Sequence, residues 1–144
     1  IKYHYLVSWY IPLITRTTLL LKTQGAAIIN DYLLQNELYR IGGNAIMRGF
    51  DEQSITASQY HIATAELRYL LSQNAFAALF VDAAYTENAA GTYLTRDTPI
   101  GFGAAVNFET KAGIFGLTYA LGSQQNNPVS LRNTKIHFGY VNYF

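Results

Sequence analysis

Apolar and polar residues alternate along most of the chain with a period of two, which is the pattern of β-strands that have two different faces. The pattern predicts seven strands, at residues 2–13, 17–24 or slightly beyond, 59–71, 76–86, 100–110, 114–121 and 135–144. Most of them are about as long as a tilted strand that crosses a bilayer, about 9 to 11 residues, and longer than a typical soluble strand of about five or six. We therefore predict an all-β chain with membrane-spanning strands.

The connections between these strands alternate between short and long. The short ones are "ITR", "SQNA" and "KAG", and the long ones are residues 25–58, "ENAAGTYLTRDTP" and "GSQQNNPVSLRNT". Up-and-down barrels of the outer membrane have this layout, with tight turns on the periplasmic side and long loops on the outside. The alternation predicts a transmembrane antiparallel β-barrel whose last strand runs from the outside towards the periplasm.

Sorting the strands by face separates the charged residues from the apolar ones. The predicted inner face carries Lys22, Glu66, Arg68, Asp82 and Glu109, together with Lys2, His4 and Ser8 of the first strand. In the second strand, Lys22 is expected to lie opposite the leucines. The predicted lipid face includes Tyr5, Trp9, Leu67, Leu79, Phe102, Val106 and Phe108. A soluble β-sandwich or lipocalin-like barrel also alternates, but its solvent face should be rich in Lys and Glu, whereas the polar face here is mostly Gly, Ala, Thr and Asn.

The composition excludes several classes of function. Charged residues make up 13% of the chain against about 25% in ordinary soluble domains, and aromatic residues reach 15%. The net charge is +1 with scattered Lys and Arg, so nucleic-acid binding is not expected. The chain has no cysteine and none of the motifs GxSxG, GxxxxGK or HExxH, while His4, His61 and His137 stand on separate strands. We therefore predict that the chain is not an enzyme and has neither cofactor nor metal.

The segments "ELYRIGGNAIMRGF", "AELRYLL" and "FVDAAY" occur in this order before an aromatic last strand. Together they resemble the C-terminal half of the barrel in the BamA/TamA superfamily, also called the bacterial surface antigen family, over about residues 32–144. Arg48, Gly49 and Phe50 match the loop signature (V/I/L)RG(F/Y), preceded by a methionine. Phe80 and Asp82 match the strand signature FxDxG, except that an alanine replaces its glycine.

The resemblance implies that the loop at about residues 25–58 folds back into the barrel lumen. Arg48 would then reach Glu66 and Asp82 on the inner wall and act as a lumen brace. The residues agree, because both carboxylates lie on the charged face of adjacent predicted strands and could converge on one guanidinium. The remaining residues of the loop motif are Gly42, Gly43, Gly49 and Phe50. Its glycines permit tight turns and a close approach to the wall.

The last predicted strand, "KIHFGYVNYF", places aromatic or apolar residues on one face, namely Ile136, Phe138, Tyr140 and Phe144. This pattern resembles the C-terminal signal by which outer-membrane barrels are recognised for assembly. In the family, the last strand pairs weakly with the first and opens as a lateral gate.

The family resemblance also implies a wider context. Residues 1–144 would be the last seven strands of a barrel of about sixteen, in the outer membrane of a Gram-negative bacterium. Because unpaired backbone at an open edge cannot face lipid, other polypeptide must complete the barrel. The implied partners are the lipid bilayer, the N-terminal strands, periplasmic POTRA domains and unfolded outer-membrane proteins. The implied function is insertion or translocation of proteins; the alternatives are the barrel of a patatin-like lipase or of a two-partner secretion system, or a small autonomous porin-like barrel.

Overall fold

The computed structural model describes residues 1–30, 32–90, 94–124 and 134–141. In these residues the chain forms ten strands and one short 3₁₀ turn at Gln35–Glu37. The strands are β1 (Lys2–Ile14), β2 (Thr17–Ile28), β3 (Tyr39–Ile41), β4 (Ile55–Ala57), β5 (Gln59–Ser72), β6 (Ala75–Asn88), β7 (Thr95–Asp97), β8 (Ile100–Thr110), β9 (Gly113–Ser123) and β10 (Lys135–Val141). Among the described residues, no helix combines the length and the apolarity needed to cross a membrane.

Seven long strands of the described chain form one antiparallel sheet in the order β1-β2-β5-β6-β8-β9-β10. Each of these strands pairs with the next long strand along the chain. Of the three short strands, β3 and β4 form a separate two-stranded sheet, and β7 adds to the end of β6. This is the up-and-down topology of a barrel wall. It confirms the predicted all-β, antiparallel fold.

Strands β2, β6 and β9 run further than the sequence pattern predicts at their long-loop ends. β2 continues to Ile28, whose backbone N–H donates to the carbonyl oxygen of Ser58 at 2.8 Å, so the long loop begins at residue 29 and not at residue 25. Gly25 lies inside β2, where the ring of Tyr5 covers it closely enough that an added Cβ would lie 2.7 Å away. A glycine packed under an aromatic ring on the neighbouring strand therefore belongs to the sheet and does not mark its end.

The two faces of the sheet differ as predicted. Large apolar side chains on one face are exposed, for example Trp9 at 55% and Leu79 at 63%, whereas Glu66 and Asp82 on the other face are buried. Leu67, Phe102, Val106 and Phe108 are also exposed, Tyr5 is half-buried on the same face, and Lys22 and Glu109 are half-buried on the inner one.

The separation of the faces is less strict than the sequence analysis expected. Leu20 shares the inner face with Lys22 and is buried, and Tyr10 lies on the inner face of β1, where its ring meets the guanidinium of Arg68 at 5.6 Å. The longer β6 also places Glu87 on the outer face, beside Arg96 of β7, with Nε and Oε1 2.8 Å apart. The alternation along β2 itself places Leu20 on the face of Lys22, so Lys22 lies opposite Leu19 and Leu21 only. The contact of Glu87, by contrast, depends on β7.

Strand β10 is described from Lys135 to Val141, and it pairs with β9 throughout. Ile136, Phe138 and Tyr140 lie on its outer face and are 69%, 69% and 46% exposed. Phe144, which the sequence analysis assigned to the same apolar face, lies outside the described residues.

Candidate functional site

The loop between β2 and β5 folds against the inner face of the sheet. Its tip needs glycine, because Gly42, Gly43 and Gly49 all have positive φ angles, of 120°, 89° and 93°. A Cβ on Gly42 would also lie 2.3 Å from the carbonyl oxygen of Asp51. Met47 donates its backbone N–H to the carbonyl oxygen of Gly43 at 3.1 Å, which closes the turn.

Apolar packing holds the folded loop on the wall. Met47 is fully buried, and Phe50 and Ile41 of the loop region are buried with it. They pack in one cluster with Ile62 of β5 and Ala84 of β6, which lie on the inner face of the sheet. The main buried core of the described chain therefore lies between the loop and the inner face of the wall.

Arg48 projects from this loop towards β5 and β6. Its Nε donates to Oδ2 of Asp82 at 2.8 Å and its Nη2 donates to Oδ1 at 2.8 Å, which is the two-pronged geometry of strong arginine–carboxylate pairs. Its Nη1 donates to Oε2 of Glu66. The exposed fractions of the three side chains are 12% for Arg48, 2% for Asp82 and 6% for Glu66. The structure thus brings together the three residues that the sequence analysis singled out.

Two further inner-face residues complete the surroundings of this guanidinium. The ring of Phe80 lies beneath Arg48, with its centroid 3.5 Å from Cζ, in a cation–π arrangement. Thr64 donates its hydroxyl to Oδ1 of Asp82 at 2.8 Å. Thr64 faces Asp82 across the β5–β6 pair, and Phe80 faces Glu66, so strand register places all four residues around one point.

A second arginine continues the network. Arg68 donates from Nε to Oε1 of Glu66 at 2.6 Å, so that each oxygen of this carboxylate has its own arginine. The guanidinium of Arg68 also lies 4.9 Å from the ring centroid of Phe76. Two cations and two carboxylates therefore alternate as Asp82, Arg48, Glu66 and Arg68. The position of Arg68 on the inner face was predicted from the sequence, but its pairing was not. Its place two residues from Glu66 on the same face could have indicated this pair.

The loop backbone rests on two glycines that the sequence analysis did not assign to the site. Gly101 of β8 and Gly122 of β9 are cross-strand partners. A Cβ on Gly101 would lie 1.9 Å from the carbonyl oxygen of Arg48, and a Cβ on Gly122 would lie 2.4 Å from that of Gly49. Glycine is needed at both positions because the loop backbone touches the wall there. Gly101 lies on the predicted inner face, but Gly122 falls in the connection predicted after residue 121, so the sequence pattern did not indicate that these two glycines face each other.

The electrostatics of the site keep Arg48 charged. Burial alone would lower the pKa of Arg48, but the hydrogen bonds and negative charge of Asp82, and then those of Glu66, raise this pKa above its ordinary value. The guanidinium is therefore a fixed cation at any physiological pH.

The contacts at this site fix the position of the loop on the wall. Within the residues that the structure describes, no group of three His, Asp or Glu side chains could hold a metal ion. His61 bonds through Nδ1 with the hydroxyl of Tyr5 at 3.0 Å on the outer face, and His137 lies on β10. A buried arginine between two carboxylates ties a loop to two strands.

Comparison with known proteins gives one family. The model of the Omp85 superfamily domain matches residues 1–144. The match confirms the family resemblance that the ordered motifs indicated. Searches among curated proteins and among solved structures gave no match.

Proposed function

We propose that this chain, which belongs to the Omp85 superfamily, forms barrel wall in a BamA-like protein that inserts other proteins into the outer membrane of a Gram-negative bacterium. Members of the superfamily are outer-membrane barrel proteins concerned with protein insertion or translocation. The proposed partners are the lipid bilayer, further strands and POTRA domains of the same protein, and unfolded outer-membrane proteins as substrates.

The inward loop, fixed by Arg48, is the observation that carries the proposal. A long loop folded into the lumen and tied to the wall by a buried ion pair is costly to maintain, since each member must be desolvated. Such a device supports a role in holding the wall rigid while another part of the barrel moves. Arg48 and its carboxylates have each other as partners, which supports a non-catalytic role for the site.

Strand β10 is the proposed moving part, one edge of a lateral gate. On its β9 side it is well held: Phe115 of β9 packs against Phe138 and Tyr140, with ring centroids 6.2 and 4.8 Å apart. The hydroxyl of Tyr140 also donates to the carbonyl oxygen of Ala112 at 2.6 Å. We expect its other edge to pair weakly with the first strand of the barrel, so that a substrate strand can add to the exposed backbone.

The pairing of Gly139 with Gly116 favours mobility within β10. These two glycines face each other across β9 and β10, so one row of the pair has no side-chain contact to stabilise it. A strand with such a row bends more easily than one with continuous side-chain packing.

Locking the gate in the complete protein tests the proposal. A disulfide between β10 and the first barrel strand should abolish insertion of an unfolded outer-membrane protein into phospholipid vesicles, and reduction should restore it. The matched control is a disulfide between Leu117→Cys and Phe138→Cys, which are partners on β9 and β10 and should leave insertion unchanged because that pair does not open.

Full insertion of the substrate protein while β10 is locked to the first barrel strand would overturn the gate. Hydrolysis of lipid esters by the complete protein would instead support the lipase barrel. Secretion of a single dedicated substrate would support the two-partner system, and passive solute flux without insertion would support a porin-like barrel.

A further inference from the structure

Residues 48–51 cross the inner face of the sheet from β5 and β6 to β10. Arg48 contacts β5 and β6 through Glu66 and Asp82, as described above. The backbone of Gly49 and the ring of Phe50 then lie against β9, where a Cβ on Gly122 would be 2.4 and 2.9 Å from them. The next residue, Asp51, reaches β10.

The contact with β10 is an ion pair. Nζ of Lys135 lies 2.8 Å from Oδ1 and 2.9 Å from Oδ2 of Asp51. Lys135 is the first residue of β10 and is therefore at the long-loop end of the strand. The pair borders a cavity of about 280 Å³ that Ser54 and Gln124 also line, and the side chains are 69% exposed at Asp51 and 31% exposed at Lys135. Water therefore reaches the pair.

We propose that Asp51 is a positioning residue that latches the outer end of β10 to the inward loop. The inference rests on the proposed function, in which β10 is the edge that opens. Separation of β10 from the first strand of the barrel at the long-loop end carries Lys135 away from Asp51, while Asp51 stays on the loop segment that Arg48 holds. The latch thus couples the position of the loop to the closed state of the gate.

The strength of the pair suits a latch. Because both partners are in contact with water, the pair resembles a surface ion pair, whose contribution is small. Loss of the pair should raise the opening equilibrium of β10 by about two- to five-fold, which is the range that exposed pairs give. A weak latch of this kind biases the gate towards closure and still lets it open.

Hydrogen exchange at the backbone amides of residues 135–141 tests the latch. In the complete protein in phospholipid vesicles, Asp51→Ala should speed exchange of these amides by about two- to five-fold, since exchange reports local opening. Asp51→Lys should speed it further, because two lysines then face each other. The double variant Asp51→Lys with Lys135→Asp should return exchange to near the original rate. Glu52→Gln is the matched control, since it removes a neighbouring charge while Glu52 bonds to Asn44 and not to β10.

The outcomes separate the latch from the gate. Unchanged exchange in Asp51→Ala and Asp51→Lys, or no rescue by the charge swap, overturns the latch whatever the insertion activity. Faster exchange that the swap reverses supports the latch, and the rate of substrate insertion then decides the gate. If insertion does not change while β10 opens more often, the latch stands and β10 is not the gate.

Discussion

The removal of Arg48 should be the most informative single perturbation of this wall. Arg48→Ala removes the guanidinium but leaves buried Asp82 with two hydrogen-bond donors, the hydroxyl of Thr64 and the backbone N–H of residue 48, while Glu66 keeps Arg68. Breaking a buried ion pair by removing one partner costs about 3 to 5 kcal/mol, because the other charge stays behind without compensation. We expect Arg48→Ala to fall in this range, towards its lower end, since water in the lumen reduces the penalty.

The double-mutant cycle isolates the contact itself. Asp82→Ala should cost a similar amount, and Arg48→Ala with Asp82→Ala together should cost much less than the sum. We expect a coupling of about 2 kcal/mol, well above the error of about 0.5 kcal/mol for independent sites. The assay is urea unfolding and refolding of the complete protein in phospholipid vesicles.

A control cycle on the exposed pair of Glu87 and Arg96 should show a coupling of at most about 1 kcal/mol, well below that of the buried pair, because Arg96 is 61% exposed. If the effects of Arg48→Ala and Asp82→Ala simply add, the two residues do not stabilise each other and the brace is refuted.

Three further substitutions test other parts of the structure. Val106→Arg on the outer face should destabilise the barrel by about 2 to 4 kcal/mol if the residue lies near the bilayer midplane. Asn107→Arg on the inner face should cost much less. Equal losses of stability in lipid refolding would contradict the assignment of faces. Gly101→Ala should detach the loop and expose it to protease, because its Cβ would overlap the carbonyl oxygen of Arg48, whereas Gly139→Ala meets nothing closer than 4.0 Å and should leave the loop protected. Arg68→Ala should cost less than Arg48→Ala in the same urea titrations, because Arg68 bonds to one carboxylate and is 28% exposed; a larger loss would show that Arg68 is the main partner of Glu66.

Much of the wall could be predicted from the sequence because its physical causes are local. Contact with hydrocarbon requires an apolar side chain at every second position of a strand. This alternation, which includes Leu67 and Val106, is therefore visible along each strand. The ends of strands could not be predicted as well. Gly25 interrupts the pattern, yet its place under Tyr5 depends on a strand that the local sequence of β2 does not contain.

The centre of the site could be predicted because the loop motif contains Arg48, the strand motif contains Asp82, and a buried arginine pairs with carboxylates. The wall surface beneath the loop could not be predicted in this way. Gly101 and Gly122 matter because loop backbone passes over them, and this depends on where residues 48–50 lie in space. The pairing of Asp51 with Lys135 joins residues 84 positions apart, and no period or motif connects them.

The path of the loop has a consequence for the order of folding. Arg48 and Asp82 are 34 residues apart, whereas Asp51 and Lys135 are 84 apart, and longer separations close more slowly. A charged loop tip inserts with difficulty into a barrel that has already closed, but it can dock on a sheet that is still open. We therefore expect the loop to dock once β5 and β6 have paired and to wait there as a template over which β8, β9 and β10 are laid. Refolding should then show protection of Met47 before protection of β10. The docked loop then sets the curvature of this part of the barrel, because β8, β9 and β10 pack over it as they form.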